Sequence, residues 1–461
     1  MVEKIKQSLR ESKRARWTAL VILSFTMFAG YLFNEIISPL KPIIDADPSF
    51  GWDGSDFGMF FGAYAWFNVF FVMLIVVGIL LDRLGIRFST ITSALLMIIG
   101  AGIKYYAFKT EMGDAQIFGV GARLMTACIG FAIFGVGVEF AGITVSKAVV
   151  KWFKGKEIAL AMGMQVAIAR LGSFVPLMFG AYFVSLTDVP TYIAMGVLFL
   201  IIGLLGFIVY NIMDKKLDGQ DKSAVDYTEE DKFKLKDLGI IISNRGFWLI
   251  AILCVLFYSA VFPFYKYGPD LMFNKFGVSK DWTGLIPSIV PFGTIFLTPF
   301  FGGIYDKRGK GATMMIIGAF ILVVVHLIYW MPGITSMYLA FANAVLLGIG
   351  FSLVPSAMWP SVPKIIPEKQ IGSAYAFIFW IQNFGLWGIP LLVGIVLEKT
   401  NPGVAESLKA GKEVTYDYQT TWLIFVGCTI LALIIAFWIK AEDKRKGYGL
   451  ELPNIEKKAE E

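Results

Sequence analysis

Twelve apolar runs, each long enough to cross a bilayer, constrain this chain more than any other feature. A helical span needs about 20 mostly apolar residues at about 1.5 Å of rise per residue. Such runs lie at 17–39, 57–81, 88–108, 117–146, 157–183 and 190–213, then at 246–272, 282–305, 312–331, 336–359, 370–396 and 419–440. Charged residues make up 16% of the 461 positions, against about 25% in soluble domains. The expected fold class is therefore an all-α polytopic membrane protein with twelve transmembrane helices in two six-helix bundles. The expected domains are a tail at 1–16, a bundle at 17–213, a charged linker at 214–245, a second bundle at 246–441 and a tail at 442–461.

Lysine and arginine orient these helices. The first tail (Lys4, Lys6, Arg10, Lys13, Arg14, Arg16), the turn at 82–87, the hairpin at 147–156, the linker, the turn at 307–310 and Lys440, Lys444, Arg445 and Lys446 all fall on one side. Loops on the other side are mixed or acidic, with Asp45, Asp47, Asp53, Asp56 and Asp188. The positive-inside rule then places both termini in the cytoplasm. These loops account for the net charge of +6, so no nucleic-acid partner is called for. The first tail runs into a full-length span with no short h-region or small-residue cleavage site, and the first helix is expected to stay as an anchor. Cys128, Cys254, Cys428 and the lone His326 all sit in apolar runs. That excludes a disulfide framework and a metal cage, and His326 is read as a packing residue. No cofactor is expected, and no enzyme: scattered acids and one histidine form no catalytic cluster at a membrane face.

The two halves repeat. Gly78, Asp82, Arg83 and Gly85, between the second and third runs, correspond to Gly302, Asp306, Lys307 and Gly309 in the second half. Farther on, one constant offset carries Gly135, Gly137, Lys151, Lys156, Ile158 and Gly172 onto Gly348, Gly350, Lys364, Lys369, Ile371 and Gly385. Parallel six-helix repeats around a midplane site are the plan of rocker-type secondary transporters. In the repeated turn the glycines permit tight reversal and close helix approach. Asp82 is placed to pair with a neighbouring helix end, so Gly78, Asp82, Arg83, Gly85, Asp306 and Lys307 are read as gating residues.

Charge inside the runs is the next constraint, because a charged side chain at the centre of a membrane helix costs about 3 kcal/mol on insertion scales. Glu139 lies in the fourth run and Arg170 in the fifth, and the repeat replaces them with Ser352 and Asn383. A doubled scaffold with charges in one half suits an asymmetric ligand. Helix direction brings the two to similar depth, where they either lock the first bundle as a permanent pair or hold the two ends of a substrate. A buried pair often stabilises no better than apolar packing, which favours the second reading. Tyr64, Trp66, Asn68, Tyr258, Lys266, Trp359, Gln382 and Asn383 are the other candidate substrate-binding residues. Buried amides need partners, which marks Asn68, Gln382, Asn383 and the aromatics beside them, and Lys266, beside Tyr258 and Tyr265, is placed to face the cavity from the second bundle. Glu35, near the outer end of its run, is a candidate proton or amine site, or an interfacial carboxylate. Lys104 is expected to snorkel to the surface. Trp152 is expected at the interface, in a basic anchor that could meet lipid headgroups.

These residues also carry a resemblance. The turn of Gly78, Asp82, Arg83 and Gly85 is the pattern that the major facilitator superfamily places between its second and third helices. Trp152 through Glu157, followed by Ala169, Arg170, Leu171, Gly172 and Ser173, resembles the dipeptide-transporter branch of that superfamily. So do the stretches 260–264, 275–277 and 358–360, and the segment holding Pro367, Gly372, Tyr375, Gln382, Asn383 and Gly385. The likeness runs from the second to the eleventh run. It implies dipeptide transport by alternating access, in the animal branch as a uniporter with a glycosylated accessory subunit, and Glu139 and Arg170 match that branch's acid and arginine in position. Two departures limit what carries over. The arginine that many members hold beside the fourth-helix glycines is here Phe131, with Arg123 two turns away, which leaves proton coupling open. An acidic dileucine signal and Asn-x-Ser/Thr sequons are both missing. The chain is therefore expected as a monomer, without an accessory subunit, in a prokaryotic inner membrane.

The expected function is a secondary active or facilitated dipeptide transporter. Arg170 would take the substrate carboxylate and Glu139 its ammonium, about 7 Å apart along an extended two-residue backbone. Binding would part the two residues, and closure through Trp359, Gln382 and Asn383 would follow. The alternative is a proton-coupled carrier of amino acids or other small organic anions.

Overall fold

The computed structural model describes residues 9–153, 156–220, 237–367 and 370–454. Lys4 and Lys6, most of the linker, and Lys369 lie outside the described residues. The first bundle consists of α1 (Lys13–Glu35), α2 (Gly54–Ala63, Trp66–Phe70 and 73–84), α3 (86–109), α4 (Ala122–Phe153), α5 (Ile158–Leu186) and α6 (Val189–Gln220). The second consists of α7 (Arg245–Phe276), α8 (Leu285–Arg308), α9 (Gly311–Trp330), α10 (Met337–Ile365), α11 (Ile371–Thr400) and α12 (Gln419–Lys446). Every expected apolar run is occupied, and the fold is the twelve-helix, two-bundle one.

Local chemistry sets the ends and breaks. The Ser12 side chain accepts from the Ala15 amide to cap α1, and Asp53 and Asp56 form a reciprocal capping box at the start of α2. Gly85 has φ 78° and ψ 173°, a conformation closed to L side chains, and it divides α2 from α3. The second run is not one straight helix. It breaks at Tyr64 and again before Val72, a β-branched residue held at φ 52°. At the first break the Tyr64 carbonyl lies against Gly135 of α4, where a Cβ would overlap it.

Small residues bring neighbours together as they do in membrane helices generally. A Cβ on Gly130 would stand 2.7 Å from the Gly100 carbonyl oxygen and 2.7 Å from the Lys104 nitrogen, so α3 and α4 are in backbone contact. Gly318 and Gly350 repeat the device between α9 and α10.

The bundles meet on the side opposite the basic loops, here called the outer side. Gly58 of α2 packs on Pro390 and Gly394 of α11, and Leu177 of α5 packs on Gly284 before α8. The Gly54 amide donates to the Glu398 carboxylate at 2.9 Å, and the Thr283 hydroxyl donates to the Pro39 carbonyl at 2.9 Å. On the basic side each bundle is tied to itself. Lys151 pairs with Asp214 at 2.8 Å and Asp218 at 2.7 Å, and Arg87 with Asp218 at 2.8 Å. Trp152 is fully buried and donates to Asp214 at 3.1 Å, so it is a core residue rather than the expected interfacial one. A carboxylate that collects Lys151, Trp152 and Tyr210 draws the indole inward. Glu11 accepts from Lys156 at 2.7 Å, and that bond holds its carboxyl below the usual range.

Candidate substrate cavity

A cavity of about 750 Å³ separates the bundles below their outer contact. Its closed end is formed by Asn34 and Glu35 of α1 and Lys266 of α7; toward the basic side it reaches Asp82, Lys147 and Gly372. The two bundles touch at one end and part at the other, so the cavity is open on the basic side.

Glu139 and Arg170 both line it, from α4 and α5. They make no ion pair with each other among the described residues. Glu139 accepts a hydrogen bond from the Tyr64 hydroxyl at 3.0 Å. Arg170 sends its guanidinium over the Phe351 ring at 5.1 Å and the Phe262 ring at 6.0 Å, both from the second bundle. Its Nη1 is buried without a hydrogen-bond partner. The two charges thus form no permanent pair in the cavity, nor are they joined in advance for a substrate to part. Tyr64 and the two rings offer each charge a local alternative.

The aromatic and amide residues divide. Tyr258, Trp359, Gln382 and Asn383 line the cavity from the second bundle. Trp359 donates to the Tyr258 hydroxyl at 3.1 Å, and Gln382 accepts from the Cys254 thiol at 3.5 Å. Asn383 donates to the Phe379 carbonyl at 2.9 Å and keeps an unpartnered carbonyl oxygen. Trp66 and Asn68 do not reach the cavity: Trp66 packs half-buried on the core, and Asn68 is buried with neither amide atom bonded. The helix ends at Tyr64 and resumes at Trp66, so the face that carries Tyr64 does not continue regularly through them.

Glu35 and Lys266 pair with each other at 3.0 Å across the bundles, at the closed end. Ser38 and Asn34 also donate to Glu35, at 2.7 and 2.8 Å. Glu35 is buried, not interfacial. Lys104 does not snorkel: it is 0% exposed, and its Nζ lies 4.6, 5.2 and 4.4 Å from the Phe33, Phe60 and Phe131 ring centres with no hydrogen-bond partner. Glycine contact pulls α3 so close to α4 that its side chain is sealed in. His326 packs among Phe264, Trp422 and Phe425, away from the cavity.

Of the turn residues, Gly78 and Asp82 line the cavity mouth and Asp82 pairs with Lys147 of α4 at 2.7 Å. That bond lies within one bundle. Arg83 and Lys307 are exposed, and Asp306 accepts from Asn454 at 2.8 Å. Tyr31, Asn34 and Gln165 also line the cavity and were not singled out from sequence. Their signal was helical spacing: Tyr31 is one turn before Glu35, and Gln165 one turn before Ala169 beside Arg170. Among the described residues no group of His, Cys, Asp and Glu could hold a metal ion.

Two bundles, a repeated turn and a central cavity open on one side define a transporter, and the chain belongs to the Major Facilitator Superfamily, which it matches over residues 23–390. Among characterised relatives it is similar to the lysosomal dipeptide transporter MFSD1. It is 27% identical to the Homo sapiens protein over 94% of this chain and 88% of that one, and 26% identical to the Danio rerio protein over 95% and 89%. The inner membrane transport protein YdiN of Escherichia coli shares 24% over 33% of this chain and 37% of its own. Among solved structures, a point mutant of the nucleoside transporter NupG superposes with a TM-score of 0.65 at 17% identity, covering 92% of this chain and 98% of that one. A bacterial homologue of the human lysosomal transporter Spinster, inward-facing and unoccupied, gives 0.66 at 13% identity, covering 94% and 98%.

Proposed function

We propose that this protein carries dipeptides across a membrane by alternating access, with Arg170 on the substrate carboxylate and Glu139 on its ammonium. The observation that carries the reading is the state of the two charges. Arg170 keeps a buried nitrogen without a partner, and Glu139 has only a neutral hydroxyl. Two opposite charges on one cavity wall, each short of a counter-charge, suit a zwitterion with separated ends. Arginine's planar fork matches a carboxylate with two parallel bonds. Tyr258, Trp359, Gln382 and Asn383 would close over the ligand from the other bundle, while the size of the cavity leaves room for varied side chains. The likeness to dipeptide transporters over nearly the whole chain supports the same class. The basic side is then cytoplasmic and the present state inward-facing, in a prokaryotic inner membrane, the protein working as a monomer without an accessory subunit.

Thermal unfolding of the purified protein with alanyl-alanine, N-acetyl-alanyl-alanine, alanine and trialanine tests this. A dipeptide at a hundred times its Kd should stabilise by about 2.7 kcal/mol, and acetylation of the amine should abolish the shift. A shift that survives acetylation would instead favour an organic-anion carrier, with Glu139 free to hold a proton. No shift with any dipeptide would overturn the proposal.

A further inference from the structure

Two oppositely signed ion pairs are stacked between α1 with its extension and α7. Glu35 pairs with Lys266 at 3.0 Å, and farther out Lys41 pairs with Asp270 at 3.0 Å. Lys41 also holds Asp45 at 2.6 Å. All five side chains are buried. Asp270 takes further bonds from Asn274 at 2.9 Å and from the Tyr418 hydroxyl. Lys266 has a second bond to the Asn34 carbonyl at 2.7 Å.

Opening the outer side must pull α1 from α7 and break both rungs. A buried charge that loses its partner is strongly destabilising, so an opening that proceeds readily needs replacement partners. Lys41 keeps one on its own side, because Asp45 is four residues along the same helical turn. Lys266 gains one, because Asp270 stands four residues along α7, the spacing at which helical side chains meet, and loses Lys41 in the same movement. Three carboxylates face two ammonium groups in this set. With the outer side closed, Lys41 lies between Asp45 and Asp270 and shares the surplus. With it open, Lys41 keeps Asp45, Lys266 takes Asp270, and the surplus falls on Glu35.

We infer that Lys266 exchanges Glu35 for Asp270 when the outer side opens, and that the vacated Glu35 receives the ammonium group of the entering substrate. The inference rests on alternating access as proposed above and adds an entry site above Glu139. Return of Lys266 to Glu35 on closing then displaces the ammonium toward Glu139, which lines the same cavity. Lys104 is the other cation in the first bundle near this point, but the Phe131 ring lies 4.4 Å from its Nζ and 5.7 Å from that of Lys266. It stays sealed behind that ring.

A Thr283→Cys reporter tests the exchange, since position 283 is buried in the outer contact. Labelling by an impermeant thiol reagent from the outer side reads how often that contact opens. Asp270→Asn removes a rung of the closed contact, so if Asp270 were only a latch, labelling would rise. Under the exchange it also removes the second partner of Lys266, and labelling falls several-fold; a rise overturns the inference. Glu35→Gln should raise labelling while outer-side affinity for alanyl-alanine falls about tenfold, about 1.4 kcal/mol. Unchanged affinity for alanyl-alanine overturns the entry site. Should Asp270→Asn not fold, the Glu35→Gln/Lys266→Met pair, which removes one charge of each sign, decides: labelling near the wild-type rate with weak dipeptide affinity supports the exchange, and wild-type affinity overturns it. The labelling arm uses no substrate. A wild type that binds no dipeptide therefore sinks the transport reading while labelling still decides the exchange.

Discussion

Glu139 and Arg170 share a cavity wall without touching: the Tyr64 hydroxyl donates to the one at 3.0 Å, and the other lies 5.1 Å over the Phe351 ring. Each is held where a ligand can replace its present neighbour without first breaking a strong bond. Arg170→Lys keeps the charge and loses the fork, removing one charge-assisted bond of about 1.5–3 kcal/mol. Uptake of alanyl-alanine into proteoliposomes should show KM raised about tenfold or more. Tyr64→Phe removes the donor that a bound ammonium would displace, so it should leave KM unchanged or lower it by less than about tenfold.

Lys104 carries a different expectation. A side-chain amine without a hydrogen-bond partner among three phenylalanine rings meets little but the ring faces, and burying a polar or charged group without a hydrogen bond is costly. Lys104→Met keeps most of the volume and removes that cost. Its melting temperature should equal or exceed that of the wild type, with alanyl-alanine uptake retained. A marked loss of uptake would show that the amine takes part in the transport cycle.

How far the sequence led depends on the range of the interaction. Apolar runs and the repeated turn are local patterns, and all twelve helices and the bend at Gly85 follow them. Glu139, Arg170, Gln382 and Asn383 line the cavity, and sequence alone marks them out because a charge or amide in an apolar run needs a reason. The break at Tyr64 is not so marked, since it answers to Gly135 on another helix, and with it go Trp66 and Asn68. The partner of Glu35 is Lys266, in the other bundle, and spacing along one chain says nothing about such a contact. Trp152 reads as interfacial from the sequence alone, because the carboxylate that draws it inward, Asp214, lies on α6.

Gly58 separates the demands of the fold from those of one state. A Cβ there would lie 2.8 Å from the Pro390 carbonyl oxygen and 3.0 Å from the Gly394 Cα, both on α11 in the other bundle. The conflict exists only while the outer side is closed. Gly58→Ala should therefore favour the opposite-facing state, and the labelling of a Thr283→Cys reporter should rise. Helix propensity works in its favour, by about 1 kcal/mol, so no loss of folded protein should accompany the change. Unaltered labelling would mean that the α2–α11 contact does not limit opening.

The paired turns give a last contrast, because the same glycine serves different surroundings. Gly85 has φ 78° and ψ 173° with nothing within 4 Å of a Cβ, so Gly85→Ala should cost only the backbone penalty, about 1–3 kcal/mol. Gly309 has φ 69°, and a Cβ there would also meet the returning C-terminal segment, at 2.6 Å from the Leu452 carbonyl carbon and 2.7 Å from the Pro453 nitrogen. That segment is fastened to the second bundle: the amides of Lys310 and Gly311 donate at 2.9 Å to the carbonyls of Glu451 and Leu450, and Lys364 donates to the Leu452 carbonyl at 2.9 Å. Gly309→Ala must pay the backbone penalty and dislodge this strap as well. Melting temperatures should fall more for Gly309→Ala than for Gly85→Ala. Removing residues 448–461 should narrow the gap between the two, because the clash leaves with the strap and the backbone penalty stays. An equal loss at both glycines in the full chain would show that the strap yields without cost.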